Sequence, residues 1–143
     1  MIIIDTGPLV ALFDPKDADH KACHSILETI ASPLFSTESV LTEVLHLLDS
    51  DSKGAEGVKA FFLAEYVTLL PLGKADISRC FTLMDTYSDL PMDFADATLV
   101  TLAENLKTAK VFTLDFNDFS VYRYKKGYRH YPMDLIGRDT IHS

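Results

Sequence analysis

Four acidic residues stand where short apolar or amphipathic runs end or turn their margin outward. Asp5 closes "MIII", Asp115 closes "KVFTL", Glu43 lies inside "VLTEVLHLL" and Asp96 inside "DFADATLVTLAENL". Carboxylates gathered in one cleft can move protons, or can hold a hard divalent cation such as Mg²⁺ or Mn²⁺, which prefers oxygen ligands. No obvious Lys or Arg partner accompanies Asp5 or Asp115, so four such groups brought together would repel one another unless a cation lay between them.

Each residue alone also has an ordinary explanation. Asp93, after Pro91, suits a helix N-cap, and Asp96 is then a favourable first-turn charge. Asp115 and Asp118, in "TLDFNDF", suit turn chemistry. Glu43 falls at the margin of an apolar arc of Val40, Leu41, Val44, Leu45, Leu47 and Leu48, as a flanking Glu often does. Asp96 sits at the edge of a stripe of Ala95, Leu99, Leu102, Ala103 and Leu106. The combination, rather than any single residue, points to a cation site.

The elements that must position these residues alternate from end to end. "MIII" reads as a buried strand, "PLVALF" as one short helical turn and "DADHKACHSILETI" as a helix. "PLFST" is a strand and "ESVLTEVLHLL" a helix, followed by a helix near "GVKAFFLAEY" and the strand "VTLLPL". Two further helices, "ADISRCFTLMDTY" and "DFADATLVTLAENL", precede the strand "KVFTLD". Such alternation implies crossovers and a mostly parallel sheet covered on both faces. In open sheets of this kind the ligand site lies beyond the carboxyl ends of the strands, where Asp5 and Asp115 would meet despite their separation in sequence.

The totals set the outer bounds. At 143 residues and 48% hydrophobic, the chain fits one domain, 1–143, with a real core. No apolar stretch approaches the roughly 18 residues of a membrane span and no charged leader is evident, so a soluble, unprocessed protein is expected. Cys23 and Cys80 form no CxxC, which fits a reducing cytoplasm. His20 and His24 have helical spacing but lack an evident third zinc ligand. No GxGxxG, GxxxxGK[ST] or GxSxG occurs, which removes dinucleotide, P-loop and hydrolase-elbow chemistry. The net charge of −8 argues against tight nonspecific DNA binding. Five of the 13 Lys and Arg nevertheless fall between Arg123 and Arg138. That basic stretch, interleaved with aromatics in "FSVYRYKKGYRHY", reads either as a half-buried strand with protective Lys or as a nucleic-acid edge, with Arg123, Lys125, Lys126 and Arg129 the candidate contacts.

Taken together, "MIIIDTGPLVALFD", Glu43 in "LTEVLHLL", "DFADATLVTLAENL" and "VFTLDFNDF" resemble the PIN domain, specifically the VapC-type toxins of toxin-antitoxin systems. The four motifs occur in family order across residues 1 to about 120, while the tail, 121–143, matches less. The resemblance implies a three-layer α/β sandwich around a mostly parallel sheet, and a metal-dependent endoribonuclease using Mg²⁺ or Mn²⁺. It carries the acidic site onto Asp5, Glu43, Asp96 and Asp115, sets Thr6 and Thr113 beside it, and makes Asp93 and Asp118 neighbours. A cognate antitoxin and a homodimer are also implied, with "SVLTEVLHLL" and "VKAFFLAEY" offering either a binding groove or ordinary core.

Rival readings differ in class. A haloacid-dehalogenase-like phosphatase would need a second Asp two residues after the first, where this chain has Gly7. A Mg²⁺-binding scaffold or receiver module would want an acidic pair after the first strand and a phospho-accepting Asp in mid-chain. A PIN nuclease that processes RNA outside any toxin system remains the nearest alternative.

Overall fold

A computed structural model describes residues 1–137. Arg138, counted above with the basic tail, and the rest of the expected 1–143 unit lie outside the described residues. The chain runs β1 (Ile2–Ile4), α1 (Thr6–Phe13), α2 (His20–Thr29), β2 (Leu34–Ser36), α3 (Glu38–Leu47), α4 (Lys53–Leu63), β3 (Val67–Leu69), α5 (Lys74–Thr86), α6 (Phe94–Leu106), β4 (Lys110–Phe112), α7 (Phe116–Val121), β5 (Arg123–Lys126), β6 (Arg129–Pro132) and β7 (Asp134–Ile136).

Five strands form one sheet in the order β3-β2-β1-β4-β7, every neighbouring pair parallel. Strand order reverses between β1 and β4: the chain moves outward from β1 to β3, then crosses back to lay β4 on the other side of β1. That gap is the topological switch point, where the carboxyl ends of open α/β sheets bind ligands. The strands are three residues each, so their stability comes from burial more than ladder length. Ile2, Ile3 and Ile4 are at most 5% exposed, as β-branched residues suit a covered sheet. Helices flank the sheet, α1 packing with α2, α3 and α4, and α5 packing with α6.

Three elements depart from expectation. The first is α1, which has eight residues rather than one turn. Pro8 occupies its first turn, where the missing N–H leaves no helical hydrogen bond unmade, so Thr6-Gly7-Pro8 begins the helix instead of preceding it. The second is α6, which is buried nearly all round, at Ala95 and from Ala97 to Ala103, rather than along one stripe. It lies under α5, β1 and β5, and its small residues permit that approach. Its Thr hydroxyls are satisfied internally, Thr98 donating to the Ala95 carbonyl at 2.6 Å and Thr101 meeting Cys80 Sγ at 3.4 Å. The third is the stretch after Asp115, which forms the short helix α7 and then an antiparallel β5–β6 ribbon separate from the main sheet. The chain then returns as β7 beside β4, so the tail completes the sheet edge.

Of the two helices considered as a groove, α3 and α4 bury Val40, Val44, Ala55 and Val58 in the core. Leu47 and Leu63 are 62% and 85% exposed, which corrects the placing of Leu47 in the apolar arc. Among the described residues no helix is long and apolar enough to cross a membrane.

Candidate metal centre

The sequence Ile4-Asp5-Thr6 passes directly from strand to helix, and this fixes Asp5. Its backbone N–H donates to the Phe112 carbonyl of β4 at 2.9 Å, so β1 and β4 are still paired where the carboxylate begins. The side chain caps α1, Oδ1 accepting the Thr6 N–H at 2.7 Å. Oδ2 accepts the Thr113 hydroxyl at 2.8 Å, and Thr113 Oγ1 in turn accepts the Asp115 N–H at 3.0 Å. Gly7 permits this closeness: a Cβ there would lie 3.2 Å from Leu114 Cβ, tighter than ordinary packing, so a larger residue would push the Leu114 side chain at the β4 exit away from the α1 start.

The remaining carboxylates arrive from helix ends and margins. Glu43, on α3, accepts the Thr6 hydroxyl at 2.9 Å through Oε2. Asp93 caps α6 and accepts the Asp96 N–H at 2.8 Å. Asp115 caps α7 and accepts the Asp118 N–H at 3.1 Å. Thus the capping reading of Asp93 and Asp115 and their presence in the cleft are compatible, since a cap uses one carboxylate oxygen and leaves the other. Asp5, Glu43, Asp93, Asp96, Asp115 and Asp118 all line one cleft of about 540 Å³, with Thr6, Gly7, Leu47, Pro91 and Leu114. One oxygen from each of Asp96, Asp115 and Asp118 lies within 4.8 Å of the others.

Electrostatics follow from crowding and burial. Asp5 is 7% exposed. Burial pushes its carboxyl up from 3.8 to about 6, against the hydrogen bonds from Thr6 and Thr113 and with the charges of Asp115 and Glu43. Asp96 is pushed up to about 8, by burial first and then by Asp5 and Asp93. Asp118 is raised by partial burial and by Asp115. Among the described residues no Lys or Arg lines the cleft. A set of oxygen donors whose charges oppose one another's ionisation is a donor set that fits a hard divalent ion.

One site neighbour carries no sequence signal. The Tyr122 hydroxyl donates to Asp96 Oδ2 at 2.9 Å, and its ring is fully buried between Tyr87 and Phe119, at centroid distances of 5.2 and 5.1 Å. It reads in sequence as one amphipathic Tyr among several in the tail.

The candidate RNA contacts sit elsewhere. Arg123 Nη1 donates to the carbonyls of Ser120, Val121 and Tyr122, closing the end of α7, where a cation also complements the helix dipole. Lys125, Lys126 and Arg129 are exposed on the ribbon; none of them lines the cleft. His20 and His24 stack edge to face at 4.7 Å, with His20 Nδ1 on the Ala11 carbonyl at 2.7 Å. They do not join a third ligand among the described residues.

Comparison with known proteins gives concordant results. The PIN domain family profile matches residues 2–124. Ribonuclease VapC26 of Mycobacterium tuberculosis is 31% identical over 126 residues, covering 85% of this chain and 92% of that protein. Among solved structures, VapC20 of M. tuberculosis, described as a Sarcin-Ricin loop cleaving toxin, superposes with a TM-score of 0.75 at 18% identity, over 82% of this chain and 92% of its own. A toxin-antitoxin complex from Klebsiella pneumoniae gives 0.66 at 16% identity, over 85% and 92%. At such identities the two structures establish the shared fold.

Proposed function

This chain belongs to the PIN domain family and to its VapC-type members, and we propose that it is the toxin endoribonuclease of a toxin-antitoxin pair, hydrolysing RNA phosphodiester bonds with Mg²⁺ or Mn²⁺. The observation that carries the reading is the cleft at the sheet's switch point, lined by six carboxylates and, among the described residues, by no Lys or Arg, in a chain related to a ribonuclease along most of its length.

In this reading Asp5, Glu43, Asp96 and Asp115 hold the metal. A bound divalent ion supplies positive charge against the phosphate and the acidity that makes water a nucleophile near neutral pH. The chain's own residues do the rest. Thr113 and the Thr6 N–H fix both oxygens of Asp5, and the Thr6 hydroxyl fixes one oxygen of Glu43, so these carboxylates need little reorganisation on loading. Asp93 and Asp118, which also line the cleft, add negative charge and favour the loaded state. Any of the site carboxylates could relay the proton of the attacking water. The six carboxylates repel a phosphate until the ion is present, so the scissile phosphate enters the cleft only after metal binding.

RNA is the substrate class and an antitoxin protein the partner that the family supports. We further read the chain as a single domain, because β7 returns to the main sheet, and as a homodimer by analogy with the family. The test is cleavage of RNA by the purified protein with Mn²⁺ or Mg²⁺, its abolition by EDTA, and its loss in Asp5→Asn with an unchanged circular dichroism spectrum. Full cleavage in EDTA would overturn the metal reading, and absence of growth arrest on induction in bacteria would overturn the toxin reading.

A further inference from the structure

The β5–β6 ribbon is the chemical opposite of the cleft. Its ten residues, Arg123 to Pro132, carry four Lys and Arg and no carboxylate, in a chain of net charge −8. Cross-strand pairing sets Lys126 directly opposite Arg129, and Lys125 opposite His130. Like charges directly opposite one another destabilise an antiparallel pair, and among the described residues no carboxylate forms an ion pair with Lys125, Lys126 or Arg129. Gly127, at φ 65°, opens the two-residue turn that matches strand twist, and this turn holds Tyr128 out with its side chain 100% exposed.

The base of the ribbon, by contrast, is firmly held. Arg123 N–H donates to the Tyr87 hydroxyl at 2.8 Å, and Lys125 N–H to Glu104 Oε2 at 2.7 Å. Glu104 is itself fixed by both nitrogens of a fork from Arg79, at 2.8 and 2.9 Å. Tyr124 and Tyr131 pair across the strands at 5.8 Å. A rigid base with an uncompensated tip is an arrangement for contact. Cations on a free edge strand also deter pairing between copies, but a Glu opposite each Lys would serve that end with a gain in stability, and edge protection has no use for a fully exposed Tyr.

We infer that the ribbon is an RNA-holding arm: Lys125, Lys126 and Arg129 take backbone phosphates, and Tyr128 stacks on an unpaired base. The inference rests on the reading of RNA as substrate. Phosphate neutralisation by Lys and Arg together with base stacking on an aromatic is how single strands and loops are bound without sequence readout. The ribbon also sets the kind of RNA. It leads into β7 at Asp134, which pairs with Lys110 at the start of β4, so it leaves the sheet at the amino edge, opposite the cleft. The 13 residues of α6 separate the two edges by roughly 20 Å at 1.5 Å per residue. Only an RNA long or folded enough to span that distance engages both, and the arm acts on capture of such substrates.

The test compares the full-length protein with Tyr128→Ala and with Lys125→Ala/Lys126→Ala/Arg129→Ala. Binding of a labelled unstructured RNA of about 30 nucleotides is followed in EDTA across a salt series, and cleavage of a dinucleotide, too short to reach from the cleft to the arm, is followed with Mn²⁺. The triple variant is expected to lower the salt slope of the longer RNA by about 2, at roughly 0.7 per lost phosphate contact on a single strand. Tyr128→Ala is expected to weaken that RNA about five-fold or more with the slope unchanged. The dinucleotide should, with Mn²⁺, be cleaved alike by all three proteins. An unchanged slope and affinity for the longer RNA would overturn the arm while leaving the nuclease reading intact. Loss of poly-glutamate binding with RNA binding unaffected would overturn it too, assigning the ribbon to an acidic protein. If the RNA binding effects appear but no protein cleaves RNA, the arm stands and the nuclease reading falls.

Discussion

The acidic cleft and the basic ribbon are both clusters of like charge, and each is built in a way that a search for stability alone would not select. They differ in how they are held. Asp5 and Asp96 are drawn out of water while Asp93 and Asp115 stay exposed; Asp5 is tied to the Asp115 backbone through Thr113 and its neighbour Thr6 holds Glu43, and the set is collected from β1, α3, α6, β4 and α7. The ribbon's charges come from one ten-residue hairpin and face water. Desolvation makes the first cluster sensitive to a single small cation of high charge density, whereas exposure suits the second to an extended polyanion whose counterions are released.

The largest effect that separates the two regions is catalytic. Asp96→Asn should reduce RNA cleavage by on the order of a thousand-fold, as removal of a metal ligand withdraws several kcal/mol of transition-state stabilisation. The same variant should bind long RNA in EDTA no more weakly than the native protein. Equal loss in binding and cleavage would dissolve the distinction between cleft and ribbon. Next is Tyr122→Phe, which leaves Asp96 Oδ2 without its donor; a fall of about 10- to 100-fold in metal affinity is expected, read by calorimetric titration with Mn²⁺. Unchanged affinity would reduce Tyr122 to a packing residue.

The third effect is on stability. Folding raises the carboxyl of Asp5 from 3.8 to about 6 and that of Asp96 from 3.8 to about 8, so the folded, metal-free protein holds these protons more tightly than the unfolded chain. Their contribution is fully present below about pH 3.8 and is lost as pH rises, through about 6 for Asp5 and about 8 for Asp96. For Asp5 this amounts to about 3 kcal/mol. Thermal unfolding in EDTA should therefore show a declining midpoint across that window, a shallower decline in Asp5→Asn, and recovery when Mn²⁺ is added at the alkaline end. A midpoint that climbs with pH would contradict the desolvation described for these groups. The smallest effect is at the ribbon's base: Arg123→Ala should destabilise the fold by about 0.5–1 kcal/mol through the uncapped end of α7, measured by denaturant midpoint, while leaving the salt slope of RNA binding where it was. A reduced slope would move Arg123 into the arm.

Much of the framework was legible in the residues. The alternation of "MIII", "PLFST", "VTLLPL" and "KVFTLD" with helical spacing gave a parallel sheet because buried strands and amphipathic helices have different periods. Asp5 and Asp115 were recognisable as neighbours because strand carboxyl ends converge at a switch point. The all-round burial of α6 was not legible, since Thr98 and Thr101 look polar until their hydroxyls are found paired. Leu47 was misplaced because a helical wheel knows only angles: Val44 and Leu48 beside it are buried, while Leu47 lines the open cleft. The basic tail read either as a protected strand or as a nucleic-acid edge, and the residues did not show that Lys125, Lys126 and Arg129 stand apart from the cleft. Nothing in residues 121–132 announces that Tyr122 turns inward to Asp96 while Tyr128, six positions on, stands clear of the surface.

The sequence by itself determined the element types as far as β4 and the covered sheet, and singled out four acidic positions, because periodicity, capping and charge are local properties of neighbouring residues. Only the tertiary structure decided which oxygens meet, that Thr6 and Thr113 bridge them, that Tyr122 reaches Asp96 and that the cations gather at the far edge. Those outcomes depend on strand order and on the path of α7, which bring together groups more than 100 residues apart, as Thr113 and Asp5 are, and no local pattern encodes a distance of that kind.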